Sequence, residues 1–131
     1  MGNRWENLVV DAQDPARLAR WWAEALGYQI TYEKPDEIEI RRSRDEIPGL
    51  IFLPVSEPRT VKNRLHIDLR PENQEAEVER LVDMGARHVD VGQPADVAWV
   101  VLADPEGNEF CVLAHRDTTA AAPPDEATLD G

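Results

Sequence analysis

Two stretches of the chain carry the same punctuation at nearly the same spacing, and this repeat limits the fold more than any other feature. Asp14 and Asn73, both suited to capping a helix, are 59 residues apart, and so are Asn7 and His66. Gly27 and Gly85, both placed to end a helix, are 58 apart, as are Phe52 and Phe110. A one-residue deletion in the second helix reconciles the four matches. Identity between the halves is low, so the alignment rests on pattern.

In the first copy, Leu8-Val9-Val10 is a short apolar run ending at Asp11. Asp14-Pro15 then supplies an N-cap followed by proline at the first helical position. Leu18, Trp21, Trp22, Ala25 and Leu26 fall on one helical stripe before the stop at Gly27, which makes the two tryptophans core residues. Tyr28–Tyr32, the alternating Glu37–Arg41 and Leu50–Leu53 read as three strands. Ser56–Asn63 reads as a connector.

The second copy follows the same plan. Leu65–Leu69 is a strand, Asn73 opens a helix with Val78, Leu81 and Val82 inward, and strands follow near Arg87–Val91, Val97–Ala103 and Glu109–Ala114. Asp104-Pro105-Glu106-Gly107-Asn108 has turn composition and joins the last two. The order is β-α-β-β-β twice, an α+β chain. The expected organisation is a single domain over residues 1–115, with module one at 4–55, a linker at 56–63 and module two at 64–115. Halves of about 55 residues are too small to be stable apart. Residues 116–131 lack periodicity and read as a flexible tail.

Composition narrows the partners. Fourteen Lys+Arg against 26 Asp+Glu leave a net charge of −12, which argues against nucleic acid and anionic membrane as partners. Hydrophobic residues make up 42% of the chain, enough for a packed core. Met1–Glu6 carries no signal-like apolar run, and no apolar stretch approaches a membrane span. The lone Cys111 cannot form an intramolecular disulfide, so the expected location is the cytoplasm. No phosphate-binding loop, dinucleotide fingerprint, zinc-finger spacing or serine-hydrolase elbow occurs.

Asp14-Pro15 with Leu18, Trp21-Trp22 and Leu26-Gly27, then Asn63-Arg64-Leu65-His66-Ile67-Asp68, then Asp104-Pro105-Glu106-Gly107-Asn108 resemble the glyoxalase/bleomycin-resistance/dioxygenase group, the vicinal oxygen chelate superfamily. The resemblance covers roughly residues 4 to 115. It implies two tandem βαβββ modules whose mixed sheets curl into a cleft, with the helices outside. It also implies pairing of chains, so a homodimer is one expectation; with both modules in one chain, a monomer that completes its own cleft is the other. Many members hold a divalent metal in the cleft, with ligands from the first and last strand of each module. Here those positions are Asn7, Leu53, His66 and Cys111, the last standing where the family's glutamate is usual and one pleat repeat from Glu109. Leucine has no donor and the expected carboxylates are missing, so no metal or other cofactor is expected, and His66 is the one weak candidate ligand.

Strand alternation leaves Asn7, Val9, Asp11, His66, Asp68 and Arg70 on the face away from the helices. His66 is the candidate catalytic residue, as general base or hydrogen-bond donor; the alternative is a strand histidine bonded to Asp68. Candidate ligand-binding residues are Asn7, Arg64, His66, Asp68, Trp99 and Cys111. Arg59, Lys62 and Arg64 form a basic cluster before His66 that would attract an anion or simply be solvated. Trp5 and Trp99 are candidate cleft walls, and Cys111 is either a thiol partner of His66 or a small buried hydrophobe. His88 and His115 are expected to be exposed. Three functions are compatible with these residues: a metal-free binder of a small organic ligand, anionic or neutral; a metal-dependent lyase, isomerase or dioxygenase; and a protein-interaction module.

Overall fold

The computed structural model describes residues 2–89 and 98–115. The chain divides into two compact units, Met1–Thr60 and Val61–Gly131, and the division falls inside the expected linker. The first unit contains β1 (Asn7–Ala12), α1 (Pro15–Leu26), β2 (Gln29–Lys34), β3 (Glu37–Arg41) and β4 (Gly49–Pro54). The second contains β5 (Asp68–Leu69), α2 (Gln74–Asp83), β6 (Arg87–His88), β7 (Val100–Ala103) and β8 (Glu109–Val112). Among the described residues each unit has one helix and one mixed four-stranded sheet, ordered β1-β4-β3-β2 and β5-β8-β7-β6. In both, the first and last strands run parallel and the remaining neighbours antiparallel.

Local chemistry sets the helix ends. The Asp14 carboxylate accepts from the Arg17 amide at 3.2 Å, Pro15 begins α1, and Gly27 closes it with φ of 70°, a left-handed conformation that favours glycine. Asn73 accepts from the Ala76 amide at 2.9 Å to start α2. Acids in the first turn of α2 (Glu75, Glu77) and Arg80 in its last turn complement the helix dipole. Trp21 and Trp22 are buried with their rings edge to face, 5.0 Å between centroids.

The core of the first unit is the stripe of α1 laid on Ile38, Ile40, Leu50 and Phe52, which share one face of the sheet through the pairs Ile38–Phe52 and Ile40–Leu50. In the second unit Leu81 of α2 is buried together with Leu102, Phe110 and Val112. Val78 and Val82, expected inward with Leu81, are only half-buried.

The strands of the second unit are shorter than their apolar runs. Leu65–Ile67 precedes the ladder instead of joining it, and Leu65 is exposed. Paired residues begin at Asp68, with the Cys111 amide donating to the Ile67 carbonyl at 3.0 Å and the Leu113 amide to Leu69 at 2.8 Å. β6 stops at His88, β7 starts at Val100, and β8 stops at Val112. The expected strand ends at Val91 and Val97 and the tail over 116–131 lie outside the described residues.

The two ladders also differ in register. Leu53 stands opposite Asp11, an offset of 42, whereas Cys111 stands opposite Asp68, an offset of 43. The repeat spacing would have put Cys111 opposite Arg70. The displacement is two residues, so each side chain keeps its face while its neighbours change.

Candidate functional site

On β8, Cys111 lies opposite Asp68 of β5 on one side and Val101 of β7 on the other. Phe110 and Val112 project to the opposite face and are buried there, on the side of α2. His66, two residues before Asp68, shares the Asp68 side of the chain, and its Nε2 lies 3.1 Å from Asp68 Oδ1. Both side chains are about one-third exposed. A donor atom from each of His66, Asp68 and Cys111 lies within 4.8 Å of the other two. The structure therefore brings together three of the expected ligand-binding residues in a half-open group.

The turn after β7 fixes the approach to this group. The buried Asp104 carboxylate accepts from the amides of Glu106 (2.9 Å) and Asn108 (3.0 Å) and from the Asn108 side chain. Asn108 Oδ1 in turn accepts from Asn63 Nδ2 at 2.9 Å. The segment that delivers His66 is thus tied to the start of β8.

The Cys111 thiol is pushed up to about 11, first by burial and then by the negative charge of Asp68, to which it is hydrogen-bonded. Lys62 pulls the other way, and Glu109 adds to the rise. A neutral thiol facing a carboxylate is not an activated nucleophile. Alkylation of native protein by iodoacetamide near pH 7.5 should accordingly run about tenfold to a hundredfold slower than that of the unfolded chain. Asp68→Asn should recover part of the rate, and timed labelling with mass detection measures both. Fast labelling of the folded protein would contradict the neutral thiol.

The remaining candidates are placed elsewhere. Arg64 is exposed in the segment before His66, and Trp99 is half-buried one residue before β7. Trp5 is 63% exposed, His88 and His115 are exposed, and Cys111 is half-buried. Among the described residues a groove of about 350 Å³ also lies on the α2 side, with Val78, Val82 and Val100 among its lining residues; it is on the other face from Cys111.

Asn7 belongs to a different network. Its Oδ1 accepts from Arg41 Nη2 at 3.0 Å, and the same guanidinium bonds Glu39 at 2.9 Å, Glu6 at 3.0 Å and the Glu46 carbonyl at 3.0 Å. Arg41 is buried, and it reaches Asn7 because Gly49 lies between them: a Cβ at Gly49 would stand 2.8 Å from Arg41 Cγ, 2.8 Å from the Ile40 carbonyl and 3.2 Å from Asn7 Oδ1. Sequence reasoning missed Arg41 and Gly49. The signal was present in the alternation, since Glu37, Glu39 and Arg41 share a face in β3.

The sequence profile of the glyoxalase-like domain matches residues 7–113, most of the chain. The chain belongs to the glyoxalase-like domain family. This agrees with the resemblance to the vicinal oxygen chelate superfamily drawn from its motifs. A glyoxalase/bleomycin resistance protein/dioxygenase family enzyme from Burkholderia phytofirmans has a similar fold, with a TM-score of 0.64 at 16% identity over 85% of this chain and 98% of that one. The bleomycin resistance determinant encoded on transposon Tn5 gives 0.58 at 16% identity over 88% and 100%. No curated protein sequence matches. At these identities the likeness is one of fold, and fold leaves the reaction open. Among the described residues no helix is long and apolar enough to cross a membrane.

The divalent ion implied by the superfamily does not fit the four positions of this glyoxalase-like chain. Leu53 has no donor, and the Asn7 oxygen is already bonded to a buried guanidinium whose positive charge opposes a cation beside it. The first unit supplies no ligand from these positions.

Proposed function

We propose that this glyoxalase-like chain binds a small organic molecule at the His66–Asp68–Cys111 group. The observation that carries this reading is the convergence of an imidazole, a carboxylate and a thiol within 4.8 Å, with His66 and Asp68 partly open to solvent. Few convergent polar groups beside apolar surface are what an organic ligand with oxygen functions requires. Val101 stands opposite Cys111 across the ladder, and Trp99 lies two residues before Val101. Exposed Lys62 and Arg64 lie on the segment leading to His66 and favour a ligand carrying a carboxylate or phosphate.

This reading does not use an ion held between Asn7, Leu53, His66 and Cys111. Binding rests on hydrogen bonds, with His66 as donor or acceptor to the ligand.

A thermal-shift screen of the full chain against small organic acids and drug-like compounds tests it. A ligand present at about a hundred times its Kd stabilises by about 2.7 kcal/mol and raises Tm by several degrees. His66→Ala should weaken that ligand by about tenfold, as expected for a lost polar contact, while His115→Ala should not. A screen without a hit favours the protein-interaction reading.

A further inference from the structure

We infer that the groove along α2 in the second unit is a binding site for a linear aliphatic polyamine. It lies on the face away from Cys111 and shares no residue with the His66 group. Its valines form an apolar stripe, and its carboxylates form a row beside them on the same helix.

The groove exists because α2 covers its sheet incompletely. α1 buries seven of its residues, whereas α2 buries Leu81 alone. Val78 and Val82, one helical turn apart, and Val100 of β7 stay half-buried and line a volume of about 350 Å³. Gln74 fixes the first turn of α2 against the strands: its side-chain amide donates to the Ala98 carbonyl at 2.8 Å and to the Val112 carbonyl at 3.0 Å. A volume near the lower end of the range for small-molecule sites suits a narrow chain lying lengthwise.

Charge then selects the occupant. Glu75, Glu79 and Asp83 line the groove and are exposed. Spaced four residues apart, they make a row with about 6 Å between neighbours and about 12 Å in all. Ammonium groups joined by three or four methylenes, as in spermidine, stand about 5 to 6 Å apart when the chain is extended. Each ammonium therefore meets one carboxylate while the methylenes rest on the valines, as the stem of a lysine does on an apolar surface. Neutral His88, which also lines the groove, offers a further acceptor nitrogen. A single small cation is a poorer match, because the three carboxylates do not converge as a metal-binding group. The chain itself lacks the right charge: segment 116–131 brings Arg116 against Asp117, Asp125, Glu126 and Asp130, and a second copy brings a net charge of −12.

The test titrates the isotope-labelled full chain with spermidine near neutral pH at low salt and follows the amide resonances. The expected result is one saturable set of shifts centred on residues 75–83, 88 and 100, with a Kd of about 1 mM or below, as three exposed ion pairs and a covered apolar stripe provide. Butylamine, with one ammonium group, should bind about tenfold more weakly or worse. Glu79→Gln should weaken spermidine about fivefold. Val82→Thr, which keeps the charge row and wets the floor, should weaken it about threefold. Glu24→Gln on α1 and His66→Ala should leave it unchanged. These positions are exposed or half-buried, and circular dichroism checks that each variant folds. Shifts that fail to saturate or spread over the whole acidic surface, affinity that survives Glu79→Gln or Val82→Thr, or an equal loss in Glu24→Gln overturns the inference. So does binding of hexalysine about tenfold tighter than spermidine, which would assign the groove to a basic peptide. Because His66→Ala separates the two faces, these outcomes are independent of whether the organic-ligand screen succeeds.

Discussion

Arg41→Ala should lower the free energy of unfolding by about 3 kcal/mol, because it removes a buried cation and leaves its partners behind. The Arg41 side chain is 6% exposed and that of Glu39 19%, so the Glu39 carboxylate loses its counter-charge where water replaces it poorly. Glu6 is mostly exposed and can rehydrate, which keeps the loss from growing further. Arg41→Lys keeps the charge but not the fork that spans Glu39, Glu6 and Asn7, and its loss should be smaller. Urea unfolding followed by tryptophan fluorescence measures both variants. A loss under about 1 kcal/mol for the alanine variant would mean that the network is not what holds this end of the sheet.

The same pair makes a pH signature. Glu39 is held below the usual carboxylate range, chiefly by its hydrogen bond to Arg41 and further by one from Thr31, against the opposing effect of burial. A lowered native value stabilises the fold above the pH at which the unfolded carboxyl titrates, and that stabilisation disappears as pH falls through the native value. The acid limb of the stability curve should therefore be shallower in Arg41→Ala.

Asp104→Ala should cost about 3 kcal/mol as well, and its effect should reach His66. The Asp104 side chain is fully buried and takes two backbone amides and the Asn108 side chain, so alanine removes the acceptor of all three donors at once. Gly107, with φ of 88°, lets the chain turn within this frame. Once Asn108 is no longer fixed, its bond to Asn63 loosens, and amide exchange over residues 61–68 should speed up beyond what the global loss explains. Asp104→Asn retains an acceptor oxygen for the amides and should lose less. Equal exchange across the whole second unit would show that the turn acts on stability alone.

What could be read from the sequence was local. Asp14, Gly27 and Asn73 mark helix ends because a cap acts within one turn of itself, and the structure places all three where the residue types put them. The paired tryptophans were legible as core for the same reason. Non-local relations were not legible. Nothing in Leu65–Leu69 reveals that only Asp68 and Leu69 of it pair with β8. The bond from Arg41 to Asn7 spans 34 residues and exists only because a third residue, Gly49, has no side chain. His66, Asp68 and Cys111 were singled out by face and motif. Their closeness could not be, because it follows from the pairing of Cys111 with Asp68 in place of Arg70.

That pairing shows how a duplicated sheet can acquire different chemistry in its two copies without rebuilding its interior. Sliding a strand by a single position would turn Phe110 and Val112 out to water and drive Cys111 toward α2, and the unit would lose its core. Sliding by two is the smallest change that leaves every buried residue inside. On the open face it exchanges the company that each side chain keeps, so a thiol meets a carboxylate and an imidazole where the first copy presents only Ile51 beside Val9. Strand length between the turn and the first paired residue is thus a dial for site composition, and it moves in steps of two.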